Sequence, residues 1–126
     1  MPETAVTVNE VSETPVDLTT GTDGDETNGN SFSNPNGDLV LYFRNDDGGG
    51  NSATATVTAQ TTSRDFGGYG PMTKSDLDVS LDDGDSKLVG PFSKQAWNDA
   101  NDNVIVNYTG TGAAGVKVVP LKLKKF

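Results

Sequence analysis

From residue 38 onward, apolar and polar residues alternate with a period of two, the period of a β-strand whose two faces meet different surroundings. Leu39, Leu41 and Phe43 fall on one face of the first such run, Val40 and Tyr42 on the other. Apolar residues on both faces predict a central strand, or one covered on both sides. Asp46-Asp47-Gly48-Gly49-Gly50-Asn51 is a turn. Beyond it Ala53, Ala55, Val57 and Ala59 alternate with threonines, a half-exposed strand expected to pair with the first as an antiparallel hairpin. Leu77, Val79 and Leu81 alternate with Asp78 and Ser80, and Asp82-Asp83-Gly84-Asp85 turns the chain. A strand from Lys87 ends at Gly90-Pro91-Phe92, and Ser93 is expected to cap a helical turn that carries Trp97. Val104, Val106 and Tyr108 mark the next strand. The last spans residues 116–123, where Pro120 points to an edge or a bulge.

The N-terminal third reads differently. Residues 1–20 alternate weakly through Val6, Val8, Val11, Val16 and Leu18 and are expected to form an extended arm or the first short strands. Residues 21–37 are almost wholly Gly, Asp, Asn, Thr and Ser and are expected to form a polar loop with Phe32 as its anchor. Residues 38–126 are then the core domain. Several short strands at regular spacing, separated by Gly/Asp turns, predict an all-β fold: an antiparallel two-sheet β-sandwich with jelly-roll-like or immunoglobulin-like connections and an extended N-terminal arm.

Composition narrows the chemistry. The chain has 126 residues and a formal net charge of -9, from 18 Asp and Glu against 9 Lys and Arg. Nucleic acid is not an expected partner, because phosphate binding needs clustered cations. An acidic surface rich in Asp and Thr is also what a halophilic protein presents to concentrated salt. Cysteine and histidine are both absent. That removes disulfides, thiolate nucleophiles, Ser-His pairs and the commonest metal ligand. No apolar run approaches the ~20 residues of a membrane span. Met1-Pro2-Glu3-Thr4 has neither the basic start nor the apolar core of a signal peptide, so classical secretion is not expected.

Paired carboxylates for glycoside hydrolysis need a cleft between them, whereas the Asp residues here sit in turns. No enzyme activity and no cofactor are expected. Asp82, Asp83 and Asp85 are the only candidates for an irregular calcium site. Neither they nor the stretch from Asp23 fit an EF-hand loop, and a solvated turn is the plainer reading. Gly48-Gly49-Gly50 lacks the Lys-Ser/Thr ending of a phosphate loop. Asn107-Tyr108-Thr109 is a glycosylation triplet inside an expected strand. Trp97 reads as a core plug at a corner rather than a stacking platform. The glycine-flanked aromatics Phe66 and Tyr69, with Met72, form a candidate contact loop. Lys124 and Lys125 reverse the charge locally at the C-terminus and could meet an acidic neighbour.

The order of these features carries a resemblance. Asn34-Pro-Asn-Gly37 leads into Leu39-Val-Leu-Tyr-Phe-Arg-Asn45, and a glycine turn leads into Ala53-Thr-Ala-Thr-Val-Thr-Ala-Gln-Thr61. Later come Leu88-Val-Gly-Pro-Phe92, Trp97-Asn-Asp99, Asn103-Val-Ile-Val-Asn-Tyr-Thr-Gly110 and Val116-Lys-Val-Val-Pro-Leu121. Over roughly residues 36–123 this resembles the small β-sandwich decoration or cement proteins on the heads of tailed viruses, and the acidity resembles those of haloarchaeal viruses. The long stretch 61–76 and the Asp/Asn-rich insert before Asn34 depart from the pattern. The resemblance implies a structural virion protein on the capsid exterior. Its partner would be the major capsid protein, and it would act as a homo-oligomer with a trimer favoured, binding no membrane and no nucleic acid. Val6, Val8 and Val11 of the arm, Phe66, Tyr69 and Met72 of the loop, and Lys124 and Lys125 of the tail are the expected partner-binding residues. A turret or tail location is an alternative within the same class. A carbohydrate- or surface-binding module using Trp97, Tyr69 and Phe66 is the alternative from a different one.

Overall fold

In a computed structural model, residues 3–11, 21–60, 63–65, 71–73 and 75–123 are described. They form an all-β sandwich of two mixed five-stranded sheets. Sheet A holds β1 (Thr4–Val6), β4 (Asn30–Ser33), β11 (Asn103–Thr109), β6 (Ala53–Val57) and β9 (Leu77–Leu81), in that spatial order. Sheet B holds β10 (Ser86–Val89), β5 (Val40–Asn45), β12 (Val116–Leu123) and, along the outer side of β12, β2 (Asn9–Val11) and β3 (Thr22–Asp23). A separate hairpin joins β7 (Ser63–Asp65) to β8 (Pro71–Thr73), and one helical turn, α1 (Lys94–Trp97), precedes β11.

The period-two pattern sorts the faces. Leu41 and Phe43 of β5, Val116 and Val118 of β12, Ala53, Ala55 and Val57 of β6, and Val104 and Val106 of β11 are all buried between the sheets. Small alanines on β6 make room for large rings opposite, where Phe43 and Tyr108 meet edge to face with centroids 6.5 Å apart.

Three expectations change. The runs at 39–45 and 53–60 do not form a hairpin: β5 lies in sheet B between β10 and β12, and β6 lies in sheet A between β11 and β9. Their linking turn is an arch between sheets, pinned by the buried Asn45, whose amide donates to the carbonyls of Asn51 and Leu81, 3.0 Å each. Pro120 is not at an edge. It lies in the central β12, opposite Leu41, and falls between the stretches that β3 and β2 pair, so its missing N–H coincides with a break in the ladder. The sheets are also not purely antiparallel. β1 runs parallel to β4 and β2 parallel to β12.

Those two parallel pairings come from one segment. Residues 3–11 leave sheet A at Val6 and join sheet B at Asn9, so the chain straps one side of the sandwich shut. The polar stretch 21–37 is likewise part of the fold. It contributes β3 and β4, and Phe32, Asn30 and Asn34 are fully buried. Asparagine is tolerated there because its amide is satisfied: Asn30 donates to the Thr4 carbonyl at 3.1 Å and accepts from the Asp25 amide at 3.1 Å.

Candidate interaction surface

The two outer faces differ in chemistry. On sheet A, β6 and β9 present Thr54, Thr56, Asp78 and Ser80, and the β11 positions Asn107 and Thr109 are exposed. On sheet B, the register lines Leu88 of β10 against Tyr42 of β5, and Tyr42 against Val119 of β12. Val40 and Leu121 form the next row. Leu88 is 61% exposed, the one large hydrophobic side chain so placed among the described residues. The apolar second face of the run 39–45 thus lies on the outside of sheet B, ending at β10, which pairs only with β5 among the described strands.

Charge follows the same division. The five strands of sheet A contain no Lys or Arg, whereas those of sheet B contain Arg44, Lys87, Lys117 and Lys122. Arg44 pairs with Asp46 at 2.8 Å and Lys117 pairs with Asp23. On a chain of net charge -9, sheet B is where a second acidic body meets the least repulsion.

The acidic turns are occupied by their own backbone. The Asp83 carboxylate accepts from the amides of Gly48 and Gly50, both at 2.9 Å, and ties the arch 46–51 to the turn after β9. These bonds hold its carboxyl below the usual range. Asp82 accepts from the Ser52 hydroxyl at 2.9 Å, and Asp85 accepts from the Asp82 amide at 3.1 Å. The three carboxylates proposed for calcium therefore serve separate partners. Among the described residues no group of three or more acidic side chains is placed to hold a metal ion.

Trp97 is 7% exposed and packs edge to face on Phe92 at 5.4 Å, inside the corner that follows the cis Gly90–Pro91 bond. Gly90 is required there: its φ is 127°, and a Cβ would lie 2.8 Å from the Leu39 carbonyl oxygen. Ser93 does occupy the N-cap position, but its side chain makes no capping bond; the turn is closed by backbone, Trp97 N–H to the Ser93 carbonyl at 3.2 Å.

Of the expected partner-binding residues, Val6 lies in the chain's own core at 9% exposure, and Val8 packs against that core. Val11 is half-buried in β2 opposite Leu123. The strap therefore spends most of its apolar surface inside its own domain. Met72 lies in β8 opposite Arg64. Phe66, Tyr69, Lys124 and Lys125 lie outside the described residues. Leu88 was missed as a contact residue because periodicity locates a strand without telling whether it lies at an edge. Comparison with protein-family models, curated proteins and solved structures finds no match.

Proposed function

We propose that this chain is a structural virion protein that decorates and stabilises a capsid surface. The observation that supports it is the two-faced sandwich: a polar sheet A, and a sheet B whose outer face carries the row Leu88–Tyr42–Val119, with Leu88 exposed at its end, beside Arg44 and Lys117. An apolar row that ends in an exposed leucine suits lateral contact with a protein shell, and repetition over many sites makes weak contacts strong. The resemblance over residues 36–123 points the same way. The glycan-binding alternative loses its main platform, since Trp97 is buried in the corner.

The reading is tested on shells of the virus whose genome encodes the chain, stripped of this protein. Adding it back should raise the temperature at which shells release their contents, and Tyr42→Asp should weaken binding at least tenfold while the isolated chain stays folded. Shells that neither bind the chain nor gain heat resistance would remove the proposal.

A further inference from the structure

We infer that β10 is a self-pairing edge, along which two copies of this chain join antiparallel around Leu88 and continue sheet B across a two-fold axis. This goes beyond shell binding and does not depend on it.

Among the described strands the sandwich has one closed side and one open side. On the closed side, β1 and β2 of the strap cover both sheets. On the open side, β9 ends sheet A and β10 ends sheet B, each hydrogen-bonded to a single neighbour among the described strands. An open edge offers unpaired N–H and C=O groups to another strand. The two edges are not equivalent. β9 exposes Asp78 and Ser80, and Asp78 holds the Thr56 hydroxyl at 2.9 Å. Two β9 edges would bring carboxylates of two acidic chains together. β10 contains no acid, and it borders the sheet that holds the strand cations.

Leu88 supplies the attraction. Its row, Val119–Tyr42–Leu88, stops at the edge with the last side chain mostly in water. A second β10 placed antiparallel, with Leu88 opposite Leu88, continues that row into Tyr42 and Val119 of the second copy and covers both leucines. This register sets Lys87 opposite Val89, so like charges do not face each other directly. The contact is self-complementary, as a two-fold axis requires, and it joins copies in pairs, not threes. Four residues bury less than the ~1,200 Å² of a stable interface, so association is weak, on the order of 100 µM to 1 mM.

The absence of native cysteine makes the test direct. Leu88→Cys should form a disulfide-linked dimer on mild oxidation at least tenfold faster than Ser80→Cys on the β9 edge, since residues directly opposite in an antiparallel pair lie within disulfide reach. Sedimentation of the unaltered chain should show concentration-dependent dimers, and Leu88→Lys should weaken them at least tenfold. Leu88 is exposed, so neither variant threatens the fold, and tryptophan fluorescence checks this. A chain that stays monomeric to about 1 mM in both dilute and molar salt overturns the inference. So does equal cross-linking at both edges, or a Leu88→Lys variant that self-associates normally while losing shell binding, which would assign Leu88 to a different partner.

Discussion

Asn34 and Asn98 bond to each other twice: the Asn34 amide donates to the Asn98 side-chain oxygen at 2.8 Å, and the Asn98 amide donates to the Asn34 carbonyl at 2.7 Å. Asn34 is fully buried and reaches further. It also donates to the Phe92 carbonyl at 2.9 Å and accepts from the Leu39 amide at 3.1 Å. One side chain thus joins the end of β4, the start of β5, the corner before α1 and the residue after it.

Replacing Asn34 by Ala should therefore cost far more than a typical polar substitution. It leaves the Leu39 N–H, the Phe92 carbonyl and the Asn98 side-chain oxygen without their partner, while the Asn34 backbone carbonyl that accepts from Asn98 is kept. We expect a loss of about 3 kcal/mol, read as a lower midpoint in urea with an unchanged slope. A loss under about 0.5 kcal/mol would mean that these groups find other partners.

Trp97→Ala should remove a ring that fills the corner against Phe92, at a cost of about 3–5 kcal/mol. Against the 5–15 kcal/mol stability of an ordinary domain this leaves little fold at 37 °C. The check is circular dichroism on heating. A Trp97→Ala chain that melts normally and loses only partner binding would show the tryptophan to be a contact residue.

How far the sequence could be read follows from what each signal measures. Alternation placed Leu41, Phe43, Ala53, Ala55, Val57, Val79 and Leu81 on buried faces, because burial of alternate side chains is what produces the pattern. It could not pair β5 with β10 and β12, because a six-residue Asp/Gly link serves a hairpin and an inter-sheet arch equally well. The buried asparagines 30, 34 and 45 were hidden by their own polarity: composition counts an amide as solvent-facing, and only its hydrogen-bond partners reveal otherwise. The strap was half legible. Val6 and Val8 read as strand-like, but which body they would cover depends on an edge that exists only after β4 and β12 are in place. Leu88, on which the proposed contact rests, stood in plain view inside an expected strand.

The acid turns predict a pH dependence of known sign. In Asp83 the bonds from Gly48 and Gly50 lower the carboxyl below its ordinary 3.8, and in Asp25 the Thr4 hydroxyl, then the Asn28 amide, act in the same direction. A folded-state value below the unfolded one means that the stabilisation is complete above the unfolded value, near pH 4. It is lost as pH falls through the folded value. Stability should hold from neutrality to about pH 5 and decline below about pH 4. Asp83→Asn should flatten the acid limb, since an amide oxygen does not titrate. Urea midpoints at neutral and acid pH measure both effects, and an unchanged acid limb in Asp83→Asn would remove Asp83 from the account.

Tyr108 presents the opposite case, a buried polar atom with nothing to bond. Its ring lies on the inner face of β11, against Phe43 on one side and against the Gly24 backbone, where a Cβ would come within 2.9 Å of the ring. Its hydroxyl is buried and has no hydrogen-bond partner among the described residues. Burial pushes the phenol well above its ordinary value, and the Asp25 charge adds to this. The hydroxyl therefore surrenders its hydration on folding and gains no bond in return, while the ring supplies the packing. Tyr108→Phe keeps the ring and deletes the cost, so the variant should be more stable by about 1 kcal/mol. Tyr108→Ala, which empties the ring's site, should be less stable by about 3 kcal/mol or more. Thermal melts of the two variants beside the parent give the comparison. A Phe variant that melts below the parent would show that the hydroxyl holds a bond in solution.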